Sequence, residues 1–217
     1  MISPAAVVFD CDGLLVETES RWSIAELELF ARYGRTFTDA DKRALLGKSM
    51  GVAGTVMEPL LGQPGRGLEL WDELVELVEP LIPGAEAMPG AVELVTALGG
   101  VPLAVASSSP RRLVDAALEA AGLSFDVVVA GDEVDHPKPA PDLYLAACRL
   151  LGTPPGRAIA IEDSGTGVAS ARAAGLYVIG VPSLPGVELD ADLVAASLSD
   201  LAVWSALGVK SRLATAD

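Results

Sequence analysis

The sequence predicts an α/β fold, a Rossmann-like parallel sheet core with helices on both faces, carrying an inserted four-helix cap. Three observations predict it. From Pro89 onward, apolar runs alternate with stretches of helical period, the rhythm of βαβ units and of a parallel sheet. Near the start, Val7-Val8-Phe9 runs straight into Asp10-Cys11-Asp12-Gly13, which reads as a buried strand with acids at its C-terminal end. Between the two, Thr18 to about Met88 carries the helical period only. Residues 1–17 and 89–217 are therefore read as the core and 18–88 as the cap.

The elements follow in order. Ile2 to Asp10 supplies the first strand, and Leu14-Leu15-Val16 leads away from it. Trp22, Ala25, Leu29 and Phe30 recur at helical spacing, with Glu26 and Glu28 elsewhere on the helix. Thr18 is placed to cap this helix and Gly34 to stop it. Thr38 to Leu46 reads as a second helix with Asp39 and Asp41 in its first turn. Gly47-Lys48-Ser49 is a loop, and Gly51 to Leu61 a third helix. Leu68, Trp71, Leu74, Val75, Val78 and Leu81 mark a fourth. Pro83-Gly84 and Pro89-Gly90 punctuate the return to the core.

In the second part, Ala91 to Leu98 is a helix and Val101 to Ala106 a strand ending at Ser107-Ser108-Ser109. Pro110 suits the first position of a helix that runs to Ala121. Asp126 to Ala130 is a strand, Pro141 to Leu151 a helix, and Ala158 to Ile161 a strand ending at Glu162-Asp163. Thr166 to Ala174 is a helix stopped by Gly175, and Tyr177 to Val181 a strand. Leu193 to Ala196 is a short last strand, Ser199 to Leu207 a terminal helix, and Lys210 to Asp217 a frayed tail.

Composition narrows the function. The 217 residues are 51% hydrophobic but only 5% aromatic, so the core is built mainly of Ala, Val and Leu. A net charge of −15 argues against nucleic acid or an anionic membrane as partner. A phosphate ligand would then need local positive sources: a metal, a lysine or helix N-termini. No apolar run reaches a membrane span, and Met1 to Phe9 lacks the basic start of a signal peptide. Cys11 and Cys148 do not make a disulfide framework. The expectation is a cytoplasmic protein, monomeric or weakly dimeric.

Polar groups gather where the strands end. Asp10 and Asp12 follow the first strand, Ser107 the second and Glu162-Asp163 a later one, while Lys138 sits between Pro137 and Pro139 in a loop after Ala130. In a parallel sheet these ends share one side, so four distant segments converge on one crevice. An extended backbone would put Asp10 and Asp12 on one face, where they repel unless a cation or a proton intervenes. These are the groups phosphoryl transfer requires. Asp10 is read as the nucleophile and Asp12 as general acid and base. Asp163, alone or with Glu162, completes an Mg²⁺ site with Asp10. Ser107 and Lys138 hold the phosphate with help from the backbone of Ser108. Arg111 is a candidate for reaching the substrate, and Arg21 and Lys48 for recognising it from the cap. Cys11 faces away from the aspartates by alternation. His136 is the only histidine, which excludes a two-histidine zinc site.

Asp10-Cys11-Asp12-Gly13, Ser107, Lys138 and Glu162-Asp163 resemble the four motifs of the haloacid dehalogenase superfamily. The helical insert after the first motif resembles its phosphatase branch related to β-phosphoglucomutase. The resemblance implies a mobile cap, Mg²⁺ dependence, an aspartyl-phosphate intermediate and metal binding by the backbone carbonyl of Asp12. The expected activity is hydrolysis of a small phosphorylated metabolite, a sugar phosphate or an organic acid phosphate. A sugar phosphomutase is the alternative, though Trp22 and Met50 stand where the resembled mutases carry His and Arg. A dehalogenase ranks lower, because it would leave Asp12 and Glu162-Asp163 without a role. Leu14 and Glu17 depart from the commoner Thr and Asp of the family.

Overall fold

The computed structural model describes residues 4–45, 48, 50–183 and 186–209. Its strands are β1 (Ala6–Phe9), β2 (Leu103–Ala106), β3 (Val127–Val129), β4 (Ala158–Glu162), β5 (Tyr177–Gly180) and β6 (Leu193–Val194). They form one parallel sheet in the order β3-β2-β1-β4-β5-β6. Helices α1 (Glu19–Arg32), α2 (Asp39–Leu45), α3 (Met50–Leu61) and α4 (Gly67–Val78) fill the insertion after β1. Helices α5 (Ala91–Ala97), α6 (Arg111–Ala120), α7 (Asp142–Leu150), α8 (Gly165–Ala174) and α9 (Leu201–Ala206) belong to the core. The chain steps outward from β1 to β3, then crosses back to β4 on the other side of β1. That reversal opens a crevice at the C-terminal ends of β1 and β4, the place where such sheets bind ligands.

Strands β1, β2 and β4 are buried at every position, as parallel strands covered on both faces must be. Alternation divides their side chains. Val7, Phe9, Ile159 and Ile161 pack with α5, α6 and α9, whereas Ala6, Val8, Ala158 and Ala160 pack with α7 and α8. The alanine-rich face lets α7 and α8 approach closely; α7 carries Lys138's aromatic neighbour Tyr144, and α8 begins at the crevice.

The insertion leaves and returns through two linkers that lie side by side. Glu17 N donates to the Glu86 carbonyl at 2.8 Å and Met88 N to the Leu15 carbonyl at 2.9 Å, with an antiparallel bridge between Val16 and Ala87. Inside the insertion α1 buries Trp22, Ala25, Leu29 and Phe30, and α4 buries Leu70, Trp71, Leu74, Val75 and Val78. Trp22 stacks on Trp71 with ring centroids 5.6 Å apart.

Several sequence expectations shift. The first strand ends at Phe9, and Ile2 lies outside the described residues, as do Leu46, Gly47, Ser49 and the tail Lys210 to Asp217. The fourth helix ends at Val78 and continues as a 3-10 segment, Glu79–Gly84. Pro80 and Pro83 lack the N–H that an α-helix needs there, and the tighter winding buries Ile82. Leu68, expected in the apolar stripe, is exposed because the buried arc of α4 runs through Gly67, Leu70, Trp71, Leu74, Val75 and Val78 and leaves position 68 to one side. Pro110 is the residue before α6 rather than its first. Helix α8 starts one residue before Thr166 because the Ser164 side chain accepts from Gly167 N.

The alanine face is filled without slack. Ala160→Leu inserts a larger side chain at a position with no exposed surface and is expected to cost about 1–3 kcal/mol, read as a lower urea midpoint.

Candidate active site

Register brings the first groups together. Phe9 pairs with Ile161 on one side and Val105 on the other, so Asp10, Glu162 and Ala106 form the next row. Asp10 N donates to the Ile161 carbonyl at 3.0 Å. Asp163 then follows β4 and Ser107 follows β2. Gly13 turns the chain with φ +75°, and a Cβ there would lie 2.8 Å from Asp163 Oδ2. The glycine after the acids thus gives both the backbone conformation and the space that Asp163 needs.

Lys138 is the hub of the site. Its Nζ donates to Asp10 Oδ1 and Glu162 Oε1, both at 2.5 Å, and it is 4% exposed. Glu162 has no exposed surface and its oxygens are fully engaged. Oε1 also accepts from the Tyr144 hydroxyl at 2.7 Å. Oε2 accepts from Asp163 N at 3.1 Å, Ser164 N at 3.3 Å and the Ser164 hydroxyl at 3.1 Å. Gly167 of α8 leaves room for this carboxylate, since a Cβ there would sit 1.9 Å from Glu162 Cδ.

Asp12 faces different partners. Its Oδ1 accepts from the Thr18 hydroxyl at 2.7 Å, and its Oδ2 from the hydroxyls of Ser107 at 3.0 Å and Ser109 at 2.8 Å. The strand has ended by this point, so the two aspartates separate: Asp10 turns to an ammonium and Asp12 to three hydroxyls.

Charge in the site is unbalanced. Burial pushes the Asp10 carboxyl up, and Lys138 only partly counters it because Glu162, Asp163 and Asp12 add repulsion. Asp163 is pushed up to about 7 by burial and by Glu162, against a hydrogen bond from Ser183 and the pull of Lys138. Burial pulls the Lys138 ammonium down, but Asp10 and Glu162 outweigh it and its pKa ends raised. Lys138 therefore keeps its charge between two acids, while burial and the neighbouring carboxyls favour the neutral form of Asp10.

A hard divalent cation fits this donor set. Asp10, Glu162 and Asp163 each offer a carboxylate oxygen, all within 4.8 Å of one another, and oxygen donors of this kind suit Mg²⁺. Because Glu162 already serves Lys138, Tyr144 and the Ser164 turn, Asp10 and Asp163 are the carboxylates left to ligate a metal.

The site opens into a cavity of about 410 Å³. Asp10, Asp12, Ser108, Ser109, Lys138 and Asp163 line its core wall, and Glu19, Trp22, Glu26, Lys42, Lys48 and Trp71 its cap wall. Of the residues singled out in the sequence, Ser107 is fully buried behind that wall and serves Asp12 and the amide of Ser109. Its amide still belongs to the ladder, donating to the Val129 carbonyl, which keeps the residue under the surface. Arg111 is not at the cavity: its guanidinium pairs with Asp115 at 2.9 Å and Glu133 at 3.1 Å. Arg21 bonds the Gly84 carbonyl at the return linker instead of facing the cavity. His136 is exposed and pairs with Asp142 at 3.1 Å, and Cys11 is buried in the core. Thr18 does not cap α1 with its side chain, because the hydroxyl is spent on Asp12.

Glu26 is the main surprise. It was expected on the polar side of α1 yet is 5% exposed, with Lys42 Nζ 3.0 Å from both Glu26 Oε2 and Glu19 Oε2. The signal was available: Glu26 is one turn from Trp22 and Phe30, in the middle of the apolar arc. Thr18, Ser109 and Tyr144, which also contact the charged groups, carried no such signal.

Residues 4–175 match the family described as haloacid dehalogenase-like hydrolase. The chain belongs to this family. Protein CbbY of Rhodobacter capsulatus is 39% identical over 193 residues, covering 82% of this chain and 85% of that protein. Hexitol phosphatase B of Escherichia coli K12 is 31% identical over 222 residues, covering 94% and 96%. The structure of CbbY from Rhodobacter sphaeroides with phosphate superposes with a TM-score of 0.80 at 32% identity, over 91% of this chain and 96% of that one. In one longer Arabidopsis thaliana relative the chain spans 18% of the length. This haloacid dehalogenase-like hydrolase is a phosphatase, and its fold groups it with the CbbY and β-phosphoglucomutase-like members. Among the described residues no helix is long and apolar enough to cross a membrane.

Two outcomes follow from this packing. Burial holds the Glu26 carboxyl up to about 7 against the pull of Lys42, from an ordinary 4.5. The folded chain therefore binds more protons than the unfolded chain between those values, and Glu26 removes stability as pH rises through that window. Glu26→Gln is expected to gain roughly 3 kcal/mol or less on the parent between pH 4.5 and pH 8, read from urea midpoints at both values. Gly167→Ala should displace Glu162 and lower both thermal stability and turnover, measured by melting and by phosphate release.

Proposed function

We propose that this chain is a magnesium-dependent phosphatase that hydrolyses a small sugar or polyol phosphate through an aspartyl-phosphate on Asp10. The observation that carries the reading is the buried contact of Lys138 with Asp10 and Glu162, set at the mouth of a substrate-sized cavity. The names of the relatives support the class: one is a hexitol phosphatase, and CbbY from Rhodobacter sphaeroides has structures with phosphate and with xylulose-(1,5)bisphosphate.

In this reading an Asp10 oxygen attacks phosphorus, the P–O bond to the sugar breaks, and Asp12 gives its proton to the departing oxygen. Water then attacks the phosphoryl group on Asp10 while Asp12 takes back a proton, and inorganic phosphate leaves. Lys138 keeps Asp10 oriented and offsets charge on the transferred group. Ser108 lines the phosphate end, while Ser107 and Ser109 act from behind by holding Asp12. Glu162 fixes Lys138. Mg²⁺ held by Asp10 and Asp163, with the Asp12 carbonyl that the family resemblance adds, would supply charge neutralisation for the phosphoryl oxygens. Residues 18–88 serve as the cap, moving on the paired linkers Leu15–Glu17 and Glu86–Met88. Trp22 stacked on Trp71 gives the cap no titratable group at that place, which disfavours the mutase alternative.

Phosphate release from a panel of sugar and polyol phosphates tests the reading. The parent enzyme should turn over with Mg²⁺ and stop with excess EDTA. Asp10→Asn should lose about a thousand-fold or more. Equal rates for the variant, or full activity in EDTA, would remove Asp10 or the metal from the mechanism.

A further inference from the structure

At the cap end of the cavity, Glu19, Lys42 and Glu26 form an alternating row. Lys42 Nζ lies 3.0 Å from Glu19 Oε2 and 3.0 Å from Glu26 Oε2. All three side chains line the cavity that holds Asp10 and Lys138. A buried ion cluster adds little net stability, and apolar side chains of similar volume usually hold two helices together as well or better. A tether between α1 and α2 therefore does not account for placing it in the apolar arc of α1. The row opens to the cavity through Lys42 and Glu19, whose side chains remain 22% and 26% exposed, while that of Glu26 is 6% exposed and still lines the cavity.

Hydrogen-bonding capacity identifies what the row can take. An ammonium has three protons, and two of those on Lys42 face Glu19 and Glu26. The third has no acceptor among the described residues, nor has Glu26 Oε1 a donor. A hydroxyl group accepts from one partner and donates to another, so adjacent hydroxyls match an acceptor–donor–acceptor row. A carboxylate has no proton to donate, and a second phosphate, mostly dianionic at neutral pH, would bring its negative charge against two acids. The cation of the row, Lys42, is already shared between two acids, which leaves little positive charge there to hold an anion. Trp22 and Trp71 stack beside the row and offer an aromatic surface to C–H groups, as amphipathic rings do at binding sites.

We infer that Glu19, Lys42 and Glu26 select a substrate whose tail is neutral and polyhydroxylated, so that the enzyme prefers a sugar or polyol monophosphate over bisphosphates and phosphorylated acids. The inference rests on the phosphatase reading above and deepens it. Glu26 and Lys42 bind the tail by hydrogen bonds and take no part in the transfer.

The test compares kcat/KM for a hexitol monophosphate, xylulose 1,5-bisphosphate, phosphoglycolate and 4-nitrophenyl phosphate, all with Mg²⁺. The parent should favour the hexitol monophosphate at least tenfold over the bisphosphate and phosphoglycolate. Glu26→Gln and Lys42→Met should each reduce the ratio of hexitol monophosphate to 4-nitrophenyl phosphate at least tenfold, mainly through KM. A preference for either anionic tail, or an equal loss on all four compounds, would overturn the inference. Calorimetric binding of the hexitol monophosphate to Asp10→Asn with Mg²⁺ keeps the question separate from turnover. Adding Glu26→Gln to that protein should weaken binding at least tenfold, and unchanged binding would overturn the inference even if hydrolysis holds. If no compound is hydrolysed, the phosphatase reading fails while this binding result still decides the role of Glu26.

Discussion

The site depends on one buried lysine. Lys138 reaches Asp10 and Glu162 at 2.5 Å each, and without it three carboxylates would meet in a region almost shut off from water. Charges are left in such places only when paired and hydrogen-bonded. Glu162 meets that condition through Tyr144 and the Ser164 turn. Asp163 meets it less well, and burial shows in its raised pKa. One ammonium cannot balance the cluster, and the remaining deficit of positive charge is what makes the place receptive to a metal ion and then to a phosphoryl group.

The fold makes this arrangement economical. Reversal of strand order at β1 sets the ends of β1 and β4 side by side, and a single register, Phe9 against Ile161, aligns Asp10 with Glu162. The alanine-rich underside of the sheet admits α7 and α8 closely enough for Tyr144 and the Ser164 turn to reach Glu162. The cap hangs from two linkers that bond to each other beside Asp12, and its first helix follows directly on Thr18, whose hydroxyl holds that aspartate. The point where the cap leaves the core and the orientation of Asp12 are thus fixed by the same few residues.

Much of this was legible in the sequence because it follows from periodicity and position. Apolar runs ending in Asp10, Ser107 and Glu162 mark strands and their C-terminal edge, and a parallel sheet then gathers those ends. Partners set by three-dimensional packing were not legible. Ser107 looked like a cavity residue but lies one layer below, since its amide is still in the ladder. Arg111 looked available but is held by Asp115 on its own helix and by Glu133 in the 3-10 segment after β3. Glu26 differs for another reason: polar by type, it occupies a helical position within the apolar arc. The ion row it forms with Glu19 depends on the Lys42 side chain reaching from α2 to α1, which periodicity does not reveal.

The central claim is that the Asp10 carboxylate takes the phosphoryl group with Lys138 beside it. It is tested most directly by acid-quenching the magnesium-loaded enzyme during turnover of a hexitol monophosphate and mapping its peptides by mass spectrometry. The account predicts one phosphoryl group on the peptide carrying Asp10, formed and lost at rates that match phosphate release. Phosphate released at the full rate while that peptide stays unmodified would contradict it and would point to direct attack by water.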